Sequence, residues 1–394
     1  MKVINEIDIT GKRVFIRCDF NVPMDENGNI TDDNRIRAAL PTIQYAIDNK
    51  AKVILASHLG RPKGKRNPKY SLKPVAKRLA TILGKPVLFI EDFENPEDKA
   101  KLEALKDGDV ALLENLRFWE GEEKNSKEFA LKLKELFDVY VNDAFGVCHR
   151  KHASVYALAE ISEIAAIGFL LKKELEYFDK IFTIEEKPFV AVIGGAKISG
   201  KLDCLLNLLN RADKIIIGGA QAFTFLRALG YKTGNSLVEE ELIDEAKRVM
   251  DEAGRKGVKL YLPVDFVCST SPEDESGYVI KPYQEIPKGM MGLDIGPASI
   301  ELFREVLSDA KVVVWNGPMG VFEVKAFAHG TNRIAQIIGS LNALKVVGGG
   351  DTADAVERAG ESDNMSYIST GGGASLKLLE GKTLPAVEVL EKKQ

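Results

Sequence analysis

Five cationic side chains in the first half of the chain could do chemistry together: Arg35, His58, Arg61, Arg117 and Arg150. Arginine presents a planar fork of donors that matches phosphate and carboxylate oxygens. Taken singly, each arginine reads equally well as a surface ion pair. A converging set reads as a site for a small, highly charged anion. The second half offers glycine instead. "GGAKISGKLD" places Lys197 and Lys201 four residues apart after a Gly-Gly turn. If a helix begins there, both ammonium groups lie on one face near its positive end, which suits a polyphosphate. "VVGGGDTADAV" and "ISTGGGASL" each set three glycines directly after an apolar run. Neither matches GxxxxGK[ST] or GxGxxG. Backbone N–H groups without Cβ atoms can close on anionic oxygens. "ADAVERA" and "ASLKLLE" predict helices starting just after each triplet, with N-termini toward the ligand. Asp351 is the one acid in this constellation. It suits a Mg²⁺ whose shell is completed by substrate phosphates and water, or it caps the helix that follows.

The elements that must hold these residues are short apolar runs. Asp19 and Asn21 follow "RVFIRC"; His58 and Arg61 follow "KVILAS"; Arg117 follows "VALLENL"; Asn142 and Asp143 follow "VYV", with Arg150 shortly after. Lys197 follows "FVAVIGGA", Asn316 follows "VVVW" and Asp351 follows "VVGGG"; "KIIIGGAQAF", "KLYLPVDFV" and "SYISTGGG" are further runs. Continuous apolar runs indicate parallel strands buried on both faces, and their alternation with helical patterns indicates βαβ units. The predicted fold class is α/β, with two doubly wound parallel sheets. Ligands of such sheets bind outside the carboxyl ends of the strands, where these residues cluster. "DDNRIRAALPTIQYAI" should end or kink near Pro41. "NSKEFALKLKELF" has Asn125 and Glu128 in a capping-box arrangement, with Phe129, Leu133, Leu136 and Phe137 as one stripe. "LLKKELEYFDKIF", Leu170 to Phe182, repeats Leu171, Leu175, Phe178 and Phe182 at helical spacing and reads as an amphipathic connecting helix.

A chain of 394 residues exceeds one ordinary core and suggests two domains. Its 45% hydrophobic and 28% charged residues match a soluble globular composition, and a net charge of −4 argues against general nucleic-acid affinity. In "HLGRPKGKRNPK", the His-Leu-Gly-Arg end suits an anion, while Lys63, Lys65, Arg66 and Lys69 read as solvated. No apolar run approaches a membrane span, and "MKVINEIDITGKRVF" lacks the apolar core of a signal peptide. Cys18, Cys148, Cys204 and Cys268 form no C-x-x-C pair, which suits reduced thiols in a cytoplasmic protein.

"RCDFNVP", "DDNRIRAALPTI", "SHLGRP", "ENLRF", "VNDAFGVCHRKHAS", "GGAKIS", "MGLDIGP", "WNGPMGVFE", "GGGDT" and "STGGGASLKLLEGK" resemble the phosphoglycerate kinase family, in the family's order from Val14 to Lys382. The resemblance implies reversible phosphoryl transfer from 1,3-bisphosphoglycerate to ADP, giving 3-phosphoglycerate and ATP. It assigns Asp19, Asn21, Arg35, His58, Arg61, Arg117 and Arg150 to phosphoglycerate. It assigns Lys197, Lys201, Gly218, Gly219, Gly292, Asn316, Pro318, Glu323, Gly349, Gly350, Asp351 and Thr352 to the nucleotide, with Asp351 on Mg²⁺. Arg35, Lys197, Gly371, Gly372 and Gly373 are expected on the phosphoryl group in transit. The implied architecture is two Rossmann-like domains facing a cleft: residues 1–170 for 3-phosphoglycerate, 171–185 as connecting helix, 186–375 for the nucleotide, and 376–394 returning to the first domain. Hinge bending near Glu174 and Ser369–Thr370 is expected. No nucleic acid or membrane partner is expected, and the chain should act as a monomer. A nicotinamide oxidoreductase is disfavoured because no strand leads into GxGxxG; a non-catalytic nucleotide-binding protein is the alternative.

Overall fold

Each apolar run named above forms a strand. The structure is a computed structural model that describes residues 1–393. The chain divides into two compact units, Met1–Glu176 with the segment from Thr383 onward, and Tyr177–Lys382. The first unit contains β1 (Arg13–Arg17), β2 (Lys52–Ala56), β3 (Val87–Ile90), β4 (Val110–Leu113), β5 (Val139–Asn142) and β6 (Ile164–Ile167). They form one sheet in the order β3-β4-β2-β1-β5-β6, parallel throughout. Val14 pairs with Val53 on one side and Val139 on the other. The chain moves outward from β1 in one direction, then returns to lay β5 on its other side. That reversal opens a crevice at the carboxyl ends of β1 and β5.

The second unit repeats the plan with β7 (Phe189–Ile193), β8 (Lys214–Ile217), β9 (Lys259–Tyr261), β13 (Val312–Asn316), β14 (Leu344–Gly348) and β15 (Tyr367–Ile368). Their order is β15-β14-β13-β7-β8-β9, again parallel, with the reversal between β7 and β13. Trp315 is fully buried in this core, between Val192 of β7 and Val347 of β14 in register. A separate antiparallel sheet, β11-β10-β12, is formed by β10 (Asp265–Ser269), β11 (Val279–Pro282) and β12 (Met291–Ile295). The run "KLYLPVDFV" therefore supplies two strands in different sheets, β9 and β10, divided around Pro263, which has no N–H to donate to a ladder.

Several local expectations are corrected. The helix Asn34–Asp48 does not end at Pro41 but continues through it. Burial of Ile36, Ala39, Ile43 and Ala46 along one face outweighs one lost backbone bond. The helix Lys127–Lys134 is capped by Ser126, whose side chain accepts from the Phe129 N–H at 3.2 Å, not by Asn125. Asn125 takes φ +53° and its side-chain oxygen accepts from the Ala157 N–H instead. The connecting helix runs Phe169–Thr183, and its buried stripe is Leu171, Glu174, Phe178 and Ile181, with Leu175 and Phe182 only half-buried. No helix among the described residues is long and apolar enough to cross a membrane.

Candidate active site

In the first unit, the loops after β1, β2, β4 and β5 carry the cationic set. Arg35, in the first turn of Asn34–Asp48, donates Nη1–H to the Asp19 carboxylate at 2.8 Å. Asn21 accepts from the Gly60 N–H at 2.9 Å, tying the β1 loop to the β2 loop. Arg117 is 6% exposed; its Nη1 donates to the Gly60 carbonyl at 2.9 Å and its nearest acid, Glu123, is 3.8 Å away. Burial and the charge of Arg17 push its pKa down to about 10. Arg61 and Arg150 are exposed and form no ion pair or side-chain hydrogen bond among the described residues. For these two, the ordinary ion-pair reading fails.

His58 is 3% exposed. Burial, then Arg17, Arg117 and Arg35, hold its pKa well below the usual imidazole value, so the ring is neutral. His152, also buried, is pushed down to about 3 by burial and by Arg117. Arg17 and His152 were not legible as site residues. A charge inside the run "VFIRCDF", which is otherwise buried, was the available signal for Arg17. In the same basic loop, Arg66 is not merely solvated: its guanidinium stacks over Trp119 at 5.0 Å and approaches Asp92 at 3.7 Å.

In the second unit, the glycine segments meet at the reversal between β7 and β13. The Gly194 N–H donates to the Asn316 carbonyl at 2.9 Å and the Gly195 N–H to that of Pro318 at 3.0 Å. Lys201 donates to the Asn316 side-chain oxygen, while the Asn316 amide nitrogen faces Gly348 and Gly349. Burial lowers the Lys201 pKa. The helix expected at "GGAKISGK" begins only at Leu202, with Lys201 at its N-cap. Lys197 lies in the loop before it, exposed and without a partner, so the two lysines do not share a helix face. Gly195 at φ +109° turns the chain out of line with β7 and delays helix entry.

The triplets open helices within themselves rather than after. Gly350–Arg358 starts at the third glycine of the first triplet, with Gly349 at φ +97° as N-cap; Gly372–Leu379 starts at the second glycine of the other. The two openings are adjacent because β14 and β15 pair in parallel. A Cβ on Gly372 would lie 3.4 Å from the Gly350 nitrogen. The first N–H groups of both helices lack intrahelical partners and converge. The Gly371 N–H is already given to Ser369 Oγ at 3.2 Å, leaving Gly372 and Gly373 as the donors of that triplet. Thr352 is buried and accepts from the Gly317 N–H at 2.7 Å, so it braces the β13 loop.

Gly195, Gly219, Gly292, Pro318, Glu323 and Asp351 line one pocket of about 380 Å³. Much of the rest of its wall is apolar: Phe223, Leu237, Phe266, Met291 and Met319. A Cβ on Gly292 would fall 2.2 Å from the Phe223 ring, and one on Gly219 (φ +70°) 2.3 Å from the Gly195 carbonyl oxygen. Gly218 stands behind this wall, where a Cβ would meet Met319 Sδ at 2.3 Å. The apolar wall was not foreseen, because its residues are scattered over nearly a hundred positions. Asp294 also lines the pocket; burial raises its pKa to about 8 although Gly330 and Ile295 donate N–H bonds to it.

Asp351 lies in the first helical turn but does not cap it, and its carboxylate has no hydrogen bond or ion pair among the described residues. No group of three or more His, Cys, Asp or Glu able to hold a metal occurs among the described residues. One free carboxylate beside converging amides fits a Mg²⁺ that arrives with phosphate oxygens rather than a resident metal cage.

Comparison with known proteins extends these observations over the whole chain. The phosphoglycerate kinase family model matches residues 4–382. The phosphoglycerate kinase of Nautilia profundicola is 57% identical over 383 residues, covering 97% of this chain and 96% of that protein. That of Nitratiruptor sp. is 55% identical over 394 residues, covering 99% and 98%. The solved structure of phosphoglycerate kinase from Coxiella burnetii superposes with a TM-score of 0.88 at 42% identity, covering 99% of this chain and 98% of that one. The chain belongs to the phosphoglycerate kinase family and is a phosphotransferase with a carboxyl group as acceptor.

Proposed function

We propose that phosphoglycerate is held by Asp19, Asn21, Arg35, His58, Arg61, Arg117 and Arg150, and the nucleotide by the glycine segments of the second unit. The observation that carries this reading is the convergence of the two triplets, Gly372 against Gly350. Bare amides at two helix openings suit phosphate oxygens and little else. The apolar pocket beside them takes the flat, weakly polar part of a nucleotide. Lys201, Asn316 and Thr352 brace the loops around the phosphates, and Glu323 lies at the pocket rim.

In the direction of ATP synthesis, the bond between the acyl oxygen and phosphorus breaks and a bond from phosphorus to the ADP β-phosphate oxygen forms. The 3-phosphoglycerate carboxylate leaves as an anion. A carboxylate needs no proton to leave and none removed to attack, so no general base is required. What the chain supplies is positioning and charge neutralisation. Arg35, Lys197 and the Gly372 and Gly373 amides face the oxygens of the migrating group, with Gly371 shaping the turn before them. Neutral His58 donates a hydrogen bond and shuttles no proton. Asp351 would hold Mg²⁺, which neutralises charge on the nucleotide phosphates. The two bound substrates must be brought within bonding reach, with bending near Glu174 and Ser369–Thr370.

An assay coupling ATP consumption to 3-phosphoglycerate, run with and without Mg²⁺, tests the assignment. Turnover without Mg²⁺ equal to that with it would remove the metal. Small-angle scattering with both substrates should show a smaller radius of gyration than without them, and no change would count against closure. Four buried, unpaired thiols suit a reducing cytoplasm, and we place the enzyme there as a monomer.

A further inference from the structure

Arg17 closes β1 and is fully buried. Its Nε donates to Ser154 Oγ at 2.8 Å, its Nη1 to the Cys18 carbonyl, and its Nη2 lies 3.2 Å from His58 Nδ1. No carboxylate comes within 4.0 Å of it among the described residues. Glu122 is one hydrogen bond removed, accepting from the Ser154 N–H at 2.7 Å. A buried guanidinium without a counter-ion is costly, so its contacts are worth reading for what they fix.

A guanidinium has donors only and stays protonated in proteins. Opposite Nη2, His58 Nδ1 must therefore accept. In a neutral imidazole that places the proton on Nε2. An imidazolium, or the tautomer with hydrogen on Nδ1, would set donor against donor. This is the only side-chain bond of His58 among the described residues, so Nε2–H remains available. We propose that Arg17 is a positioning residue that locks His58 as the Nε2–H tautomer, making it an uncharged, permanent donor to an oxygen of bound phosphoglycerate. The second half of this statement rests on the assignment of His58 to phosphoglycerate; the lock does not. The charged and titratable groups facing His58 are Arg17, Arg117, Arg35 and His152, and each disfavours the imidazolium form.

The test begins with long-range ¹H–¹⁵N correlation of the wild-type enzyme, with His58 identified by the signals lost in His58→Gln. Nδ1 should resonate as an unprotonated nitrogen and Nε2 as a protonated one across neutral pH. A protonated Nδ1 overturns the lock, whatever the substrate does. In Arg17→Met, His58 should become a mixture of the two neutral tautomers, because burial, Arg117 and Arg35 still keep the ring uncharged. The KM for 3-phosphoglycerate should rise about 10-fold, with the KM for ADP unchanged. A His58 that stays wholly in the Nε2–H tautomer in a folded Arg17→Met protein overturns the role of Arg17. If Arg17→Met does not fold, Ser154→Ala loosens the same guanidinium and is read the same way. His58→Gln keeps a donor near the Nε2 position and should hold the KM within a few-fold, while His58→Asn should raise it about 10-fold. Equal KM values in these two variants would remove phosphoglycerate from His58 while leaving the lock standing.

Discussion

The two units solve the same problem, holding an anion at the carboxyl edge of a parallel sheet, with different materials. The first uses side chains: Arg35 is steadied by Asp19, Arg117 by the Gly60 carbonyl, and Arg61 and Arg150 stand free. The second uses backbone, packed so closely that several of its glycines admit no other residue. Gly219, Gly292 and Gly317 would each place a Cβ within 2.4 Å of a neighbouring atom. Side-chain charge can be deleted without disturbing the fold, whereas a backbone cradle is built from the same atoms as the core beside it. The first site should therefore lose binding by degrees, and the second should lose structure and binding together, with instructive exceptions.

Lys197 is the charged side chain of the second unit that belongs to neither material, since it is exposed and unpartnered. Lys197→Ala should lower kcat by on the order of 10²-fold or more, as for loss of one preorganised donor, while thermal unfolding is unchanged. Near wild-type kcat would take it out of the mechanism. Asp351→Asn should raise the Mg²⁺ concentration needed for half-maximal rate by about 10-fold, and an unchanged metal requirement would place the ion elsewhere. Arg61→Ala and Arg150→Ala should each raise the KM for 3-phosphoglycerate by about 10-fold, the scale of one charged hydrogen bond. Neither should alter the KM for ADP or the melting temperature. Within the first triplet the roomy position is Gly350, where a Cβ would meet nothing within 4 Å. Gly350→Ala should keep the melting temperature or raise it slightly, yet raise the KM for ADP several-fold by crowding the cradle. If it leaves nucleotide kinetics untouched, the first triplet is a turn and not a cradle. The smallest effect belongs to pH. Because His58 is held neutral, the KM for 3-phosphoglycerate should follow the same profile in wild type and His58→Gln between about pH 6 and 8. An inflection present only in the wild type would show the ring gaining charge.

Both parallel sheets were readable because a strand buried on both faces leaves a continuous apolar run, as in "KVILA" or "VVVWN", and the chemically active residues follow those runs directly. What stayed hidden depends on partners distant in sequence. β3 is only half-buried over most of its length, so "VLFI" carries a weaker signal, and β6 is an edge strand with exposed Ile164. "KLYLPVDFV" gives no sign that its two ends enter different sheets. Asn125 and Ser126 are both good caps, and the choice falls to Ser126 because Asn125 is drawn to the Ala157 N–H. The lysine pair was misplaced because the chain turns at Gly195 and the helix starts only at Leu202, five residues past Lys197. Arg17 sits inside an apolar strand, where a charge looks like an irregularity until Ser154 and His58 appear beside it.

The four cysteine sulfur atoms carry a practical consequence. All are buried, and burial is the largest cause that pushes Cys148 and Cys204 up to about 12 and Cys268 to about 11, with Cys18 raised as well. Almost no thiolate is present near neutral pH, and no reagent reaches one while the chain is folded. Alkylation by a neutral maleimide therefore works as a clock: each label records an opening event. Since Cys18 and Cys148 lie in one unit and Cys204 and Cys268 in the other, peptide mapping of the labels would time the two halves separately.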